Sequence, residues 1–233
     1  MNADPIARAY RWLEYATIGF ELEDARFDFL SQAAGAQRVM ILGEGDGRFL
    51  ARLLECNPHA RVAVIESSAR MIDLARRRLR ADDRPRVDFH CMDAAACPLP
   101  DGPFDLAVTH FFFDILESRE AESVILKVDS LLDPGACWLL SEFQVPSSGI
   151  RRLHARLWLS TMYGFFSVTT GVRASQLSPY REVLVRCGWV ETDHRERRLN
   201  FIRSQVWRKA TSRQTAPTPD PSAPDRRETP GCA

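Results

Sequence analysis

Apolar positions along this chain alternate between two rhythms. Apolar-rich runs at Val39-Met40-Ile41-Leu42, Arg61–Ile65, Val87–Cys91, Phe104–His110 and Ala136–Leu140 read as short strands. Between them the apolar positions recur at helical spacing. Met71, Ile72, Ala75 and Leu79 make one inner face, and Ala121, Val124, Ile125, Val128, Leu131 and Leu132 make another. A helix around Tyr180–Cys187 follows, then a final antiparallel pair at Trp189–Arg195 and Asn200–Trp207. Ahead of the first strand, Asp4-Pro5 opens a helix carrying Ile6, Tyr10, Leu13 and Thr17, and a second helix runs from Glu21 to about Ala34. Strand–helix alternation of this kind predicts an α/β, doubly wound sheet.

The junction after the first strand is the most informative stretch. It reads Gly43-Glu44-Gly45-Asp46-Gly47-Arg48-Phe49-Leu50, glycine at every second position and then the start of a helix. Glycine lets the backbone turn sharply and approach a ligand that any Cβ would displace. The helix start adds free N–H groups and the positive end of its dipole. A nucleotide-type pocket at the carboxyl end of the first strand follows from this geometry. The spacing is G-x-G-x-G, with Arg48 where the dinucleotide fingerprint places its third glycine. No Gly-Lys-Ser/Thr follows, which excludes a P-loop. On the glycines alone, a bare turn in a doubly wound fold stays an open alternative.

Downstream residues change that picture. The second strand ends at Glu66, about 20 residues past the glycines, where a carboxylate can grip both ribose hydroxyls. Ser67-Ser68 then cap a helix whose outer side carries Arg76, Arg77, Arg78 and Arg80, a solvated basic face. Met92-Asp93-Ala94 follow the third strand, Phe104-Asp105 open the fourth, and Leu132-Asp133-Pro134-Gly135 turn into the fifth. Together these residues resemble the class I S-adenosylmethionine-dependent methyltransferases over about residues 35 to 145, with similarity to the quinone-biosynthesis C-methyltransferases. The resemblance implies a Rossmann-like seven-stranded sheet, mostly parallel with an antiparallel last strand and helices on both faces.

It also implies roles. Gly43, Gly45 and Gly47 would pass under the methionine and ribose of S-adenosyl-L-methionine, and Glu66 would take the ribose hydroxyls. Asp93 would accept from the adenine amino group, and Ala94 would present its N–H to a ring nitrogen. Thr109, His110 and Phe111 would line the space beside the methyl. Many relatives carry an acidic residue where this chain has Ile41, and Glu44 would reach the methionine ammonium instead. A methyl on sulfonium is already activated, so the protein aligns the acceptor and excludes water. If the acceptor enters protonated, His110 is the first candidate base, followed by Asp114 and by Glu142 at the end of the fifth strand.

Between the fifth strand and the Tyr180 helix lies an insertion, residues 146–173. Trp158, Met162, Phe165 and Phe166 share one helical face there, and Arg151, Arg152, His154 and Arg156 crowd its start. The expectation is a helical lid whose aromatic face, with Tyr10 and Tyr15 from the N-terminal helices, meets a small, largely apolar or aromatic acceptor. An ordinary core face is the alternative for each. The expected organisation is a helical cover over 1–34, a methyltransferase domain over 35–210 and a Ser/Thr/Pro-rich disordered tail over 211–233.

Charge and cysteine content narrow the field. Lys+Arg and Asp+Glu both number 31 in 233 residues, so no net field draws the chain to nucleic acid. No Asn/Asp-Pro-Pro-Tyr/Phe follows the fourth strand, which disfavours DNA bases as acceptors. Six scattered cysteines without a paired motif suggest reduced thiols in a cytoplasmic protein and no metal site, with Cys91 and Cys137 acting as small hydrophobes in strands. No apolar run is long enough to span a membrane. Two other readings stay open: a non-catalytic cofactor- or partner-binding module, and an aminopropyltransferase, whose loop Gly43-Glu44-Gly45-Asp46-Gly47 also resembles.

Overall fold

The computed structural model describes residues 19–146 and 178–210, with residues 149 and 152. Five parallel strands, β1 (Arg38–Leu42), β2 (Arg61–Glu66), β3 (Val87–Cys91), β4 (Phe104–His110) and β5 (Leu132–Phe143), are followed by β6 (Trp189–Arg197) and β7 (Ile202–Lys209). The seven-stranded sheet has the order β3-β2-β1-β4-β5-β7-β6, and β7 runs antiparallel to both its neighbours. Strand order reverses between β1 and β4, the switch point at which such sheets open a crevice at their carboxyl edge.

The helices are α1 (Gly19–Phe27), α2 (Arg48–Cys56), α3 (Ala69–Arg78), α4 (Ser118–Ser130) and α5 (Tyr180–Arg186). Their apolar stripes cover both faces of the sheet. On one face Met40, Leu42, Ala107, Trp138 and Leu140 pack with Val124, Ile125 and Val128 of α4 and Leu184 of α5. On the other, Val39, Ile41, Val62, Val108 and Leu139 pack with Phe49, Leu50, Leu53 and Leu54 of α2. The Ser68 hydroxyl caps α3 by accepting from the Met71 N–H at 3.3 Å. Arg76, Arg77 and Arg78 are exposed, with Arg76 over the Phe89 ring and Arg78 paired with Asp46 at 3.1 Å.

Three local expectations are corrected. The helix expected from Glu21 to about Ala34 stops at Phe27 and resumes as a 3-10 turn, Leu30–Ala33. Asp28 breaks it, since its fully buried carboxylate accepts from Arg195 Nη1 at 2.9 Å and Arg197 Nε at 2.9 Å on β6. The Asp133-Pro134-Gly135 turn lies inside β5 as a bulge. Phe104 pairs with Leu132 and Leu106 already with Cys137, so the extra residues loop out. Cys137 is buried, but Cys91 is exposed, because it ends an edge strand with no layer over it.

α1 closes over the carboxyl end of β5 and the amino end of β7. Leu22 and Ala25 pack on Phe143, Phe201 and Ile202, and Arg48 of α2 ties it down through Glu23 at 3.1 Å. Among the described residues, no helix is long and apolar enough to cross a membrane. The expected first helix, the lid and the tail lie outside the described residues.

Candidate functional site

β1 ends at Leu42 and the chain enters the glycine loop with positive φ at each glycine. Two of these glycines do different work. A Cβ on Gly47 (φ 85°) would sit 2.6 Å from Ala75 Cα, so this glycine lets α2 and α3 meet. A Cβ on Gly45 (φ 74°) would meet nothing within 4 Å. That position therefore faces open space, and its bare backbone is a cradle that a ligand can use. Beside it Glu66, only 9 % exposed, spans the loop: Oε2 accepts from Gly45 N–H at 3.1 Å and Oε1 from Ser68 N–H at 2.9 Å. Burial raises its pKa, and these two amides oppose the shift.

Glu44 folds back on the start of α2. Its Oε1 accepts from Leu50 N–H at 3.0 Å and so satisfies one of the free donors of that helix. Oε2 is buried and has no hydrogen-bond partner among the described residues. Burial pushes this carboxyl up to about 8 against the pull of the Leu50 amide and of Arg26. A cationic group arriving here would find a carboxyl oxygen waiting for it. Ile41 is 1 % exposed within the core.

Asp93, just past β3, accepts from Ala95 N–H at 2.9 Å through Oδ1. The turn it opens is clamped by Lys127 of α4, whose ammonium donates to the carbonyls of Ala94 (3.1 Å), Ala95 (2.7 Å) and Cys97 (3.1 Å). Gly45, Glu66 and the Asp93-Ala94 turn thus follow one another along the carboxyl edge, in the sequence order expected of a nucleoside site.

The ends of β4 and β5 carry polar groups on both faces of the sheet. On the α1 side His110 Nδ1 lies 2.9 Å from Ser141 Oγ, and Phe49 packs edge-on against the imidazole. Burial, reinforced by Arg26, drives the His110 pKa down to about 3. On the other side Glu142 Oε1 accepts from the N–H groups of Phe112 (3.1 Å) and Phe113 (3.0 Å). Glu142 and Asp114 hydrogen-bond to each other; burial raises both pKa values, so the pair holds a shared proton. Tyr180 sits against this pair, and its hydroxyl accepts from Gln205 Nε2 at 2.7 Å.

Thr109 departs from expectation. Its side chain is fully buried and its hydroxyl accepts from Trp138 Nε1 at 3.0 Å. Alternation along β4 turns Thr109 toward the α4 layer and His110 toward α1. The structure therefore brings His110, and not the Thr109 side chain, to the α1 side of the edge.

A methyltransferase domain model matches residues 39–135, the span from β1 to the β5 bulge. The chain is 26 % identical over 197 residues to a demethylmenaquinone methyltransferase of Clavibacter sepedonicus, covering 78 % of each protein. It is 28 % identical over 134 residues to a ubiquinone/menaquinone biosynthesis C-methyltransferase of Ruegeria sp., covering 57 % of this chain and 52 % of that one. The domain match, these relatives and the fold together support a class I S-adenosylmethionine-dependent methyltransferase. Among solved structures, the N-methyltransferase NodS of Bradyrhizobium japonicum in complex with S-adenosyl-L-homocysteine shares its fold. The TM-score is 0.59 at 17 % identity, over 81 % of this chain and 87 % of that one.

Three residues of this methyltransferase's edge escaped sequence reasoning: Arg26, Lys127 and Ser141. Arg26 reaches from α1 to place its guanidinium 5.6 Å from the Phe111 ring centroid. Each sits in an element with its own local pattern, so nothing at its own position marks it. Tyr10, Trp158, Met162 and Phe166, the expected acceptor contacts, lie outside the described residues. Among the described residues, no group of three or more His, Cys, Asp or Glu side chains could hold a metal ion.

Proposed function

We propose that this methyltransferase moves the methyl group of S-adenosyl-L-methionine to a small, largely apolar or aromatic acceptor. The observation that carries the reading is the open cradle at Gly45, flanked by Glu66, at the β1–β4 switch point. When bound, the cofactor supplies an activated methyl on a sulfonium sulphur. Gly45 would admit its backbone-hugging portion in a loop that Gly43 and Gly47 close against Phe112 and Ala75, and Glu66 would take its ribose hydroxyls, the free oxygen of Glu44 its ammonium group, and Asp93 with Ala94 its adenine. Cover over this edge comes from α1 and, in this reading, from residues 1–18 and the insertion at 146–173. Tyr10, Trp158, Met162 and Phe166 would then meet the acceptor. The quinone-type relatives favour a small-molecule acceptor over a macromolecular one.

The chain's own residues then have two tasks. The covering elements orient the acceptor and keep water out, which lets two reactants meet as one bound assembly. His110, neutral because burial disfavours its charged form, offers a nitrogen to a proton of the acceptor. Calorimetric titration with S-adenosylhomocysteine, decarboxylated S-adenosylmethionine and NAD tests the reading. Selective binding of S-adenosylhomocysteine is expected. Preference for the decarboxylated compound would replace methyl transfer by aminopropyl transfer, and a protein that binds none of them would be a non-catalytic module.

A further inference from the structure

His110 is held by more than its neighbour. Ser141 on β5 and Ser204 on β7 are cross-strand partners, and both hydroxyls reach the Ala25 carbonyl of α1, Ser204 also bonding the Asp28 carboxylate. Ser141 Oγ lies 3.0 Å from that oxygen and Ser204 Oγ 2.8 Å from it, while the two hydroxyl oxygens stand 3.3 Å apart. With His110 Nδ1 at 2.9 Å from Ser141 Oγ, three short contacts must share the available protons.

Only one distribution makes all three contacts hydrogen bonds. Ser141 donates to a lone pair of the Ala25 carbonyl, Ser204 shares its proton between that carbonyl and the Asp28 carboxylate, and Ser141 Oγ then has only acceptor capacity left for the imidazole. His110 must therefore carry its proton on Nδ1. The other tautomer would oppose Ser141 Oγ and the Ala25 oxygen at 3.0 Å with no proton between them. It would also bury an Nε2–H, since Nε2 is buried with no partner among the described residues. An orphaned buried N–H is costlier and rarer than an under-used acceptor.

We infer that Ser141 is a positioning residue: anchored on the Ala25 carbonyl, it holds His110 as the Nδ1–H tautomer and keeps Nε2 bare to accept a proton from a neutral hydroxyl of the acceptor. The catalytic half of this inference rests on the proposed methyl transfer; the tautomer does not. The acceptor class is a phenol or enol that enters with its O–H intact. Its oxygen forms the new bond to the methyl carbon as the carbon–sulphur bond breaks, with that electron pair going to sulphur. The hydroxyl proton passes to Nε2, and the imidazolium returns it to solvent when the product leaves. A weak base suffices, because methylation turns the hydroxyl into a far stronger acid at the moment the proton is taken. The charged groups that bear on His110 are Arg26 and Asp28, of which Asp28 favours the imidazolium.

The arrangement also explains how α1 bears on chemistry. The helix contributes a backbone carbonyl and no side chain to this relay, so its seat on β5 and β7 sets the proton position on the imidazole one bond further on.

Nitrogen-15 NMR of the histidine rings in the full chain tests the inference. The expected pattern is a protonated, pyrrole-type Nδ1 and a bare, pyridine-type Nε2 for His110 at neutral pH. Ser141→Ala should convert this to a mixture or to the Nε2–H form, and Ser141→Thr, which keeps the hydroxyl, should restore it. S-adenosylhomocysteine binding reports that each variant is folded, and Ser204→Ala, which leaves Ser141 in place, serves if Ser141→Ala does not fold. That variant should keep the wild-type tautomer with a weakened Ala25 anchor. A wild-type Nε2–H pattern, or an Nδ1–H pattern unmoved by Ser141→Ala, overturns the relay. Titrating 1-naphthol in the presence of S-adenosylhomocysteine should shift the Nε2 resonance as it accepts a hydrogen bond. An Nε2 signal unmoved up to the solubility of the naphthol overturns its assignment to the acceptor. Loss of S-adenosylhomocysteine binding by the wild type would refute the methyl-transfer reading and leave the tautomer standing.

Discussion

At the carboxyl edge of the sheet, the segment after β1 and the segment after β4 reach the same crevice by different means. The first is shaped by backbone: three positive-φ glycines, a helix start, and Glu66 bonded to two main-chain amides. The second is shaped by side chains that titrate. His110 is bonded to Ser141 on one face, and Asp114 shares a proton with Glu142 on the other. A backbone cradle accepts a fixed ligand framework and leaves little to vary. A set of buried, adjustable side chains lets proton chemistry and acceptor shape vary on a constant scaffold. In the proposed reading, cofactor handling and acceptor handling fall in the two halves of one edge.

The separation can be broken most severely within the glycine loop itself. Gly47→Ala puts a Cβ against Ala75 in a left-handed backbone, so a loss of stability of about 3 kcal/mol is expected in denaturant unfolding. Gly45→Ala meets open space and should cost only about 1 kcal/mol of backbone strain. Its larger effect should be on S-adenosylhomocysteine affinity by calorimetry. Equal stability losses at the two positions would contradict the division between a packing glycine and a cradle glycine.

Glu66→Ala should weaken S-adenosylhomocysteine binding by roughly 1.5–3 kcal/mol, the scale of hydrogen bonds to a charged group. Unchanged affinity would confine Glu66 to bracing Gly45 and Ser68. In the acceptor half, Trp158→Ala should raise the acceptor KM and leave cofactor affinity alone; a fall in melting temperature without a KM effect would return that aromatic face to the core.

The two halves also differ in how pH acts on them. The folded-state pKa of His110, about 3, lies below its unfolded value of 6.5. Its contribution is therefore intact above pH 6.5 and is lost as pH falls toward 3, because the unfolded chain takes up a proton that the native one refuses. Between pH 7.5 and 5.5 the wild type should lose about 1 kcal/mol more than His110→Gln in denaturant unfolding. Asp114 and Glu142 act with the opposite sign, since burial raises both, so the native state holds protons the unfolded chain has released. Their penalty grows as pH rises past the ordinary carboxyl range. Glu142→Gln should thus gain up to about 1 kcal/mol at pH 8 relative to wild type, a gain that vanishes near pH 4. A gain of equal size at both pH values would point to packing and not to the shared proton.

Much of the cofactor half was legible from the chain in one dimension. Glycine spacing, a carboxylate at the tip of β2 and Asp93 past β3 are local signals, each set by residues within one loop or strand end. The strands, their helices and the antiparallel final pair also follow from local periodicity, with bounds shifted by a residue or two except at α1 and at β5, which starts four residues earlier and ends three later than expected. Where local reading failed, a distant partner had intervened. Asp28 leaves the helix because Arg195 and Arg197 on β6 claim its carboxylate. Thr109 turns from the crevice because strand alternation and Trp138 place its hydroxyl in the core.

The amino-acid sequence by itself therefore determined the fold class, the switch point and the glycine loop with Glu66 and Asp93 at the neighbouring strand ends, because these depend on periodicity and on backbone freedom at single positions. Only the tertiary structure decided how His110 is held. The tautomer of His110 depends on a serine from β5, another from β7 and a carbonyl from α1, brought together across 116 and 179 positions of chain. Proton placement in a buried network is a property of all its members at once, and no single residue's neighbours in sequence carry it.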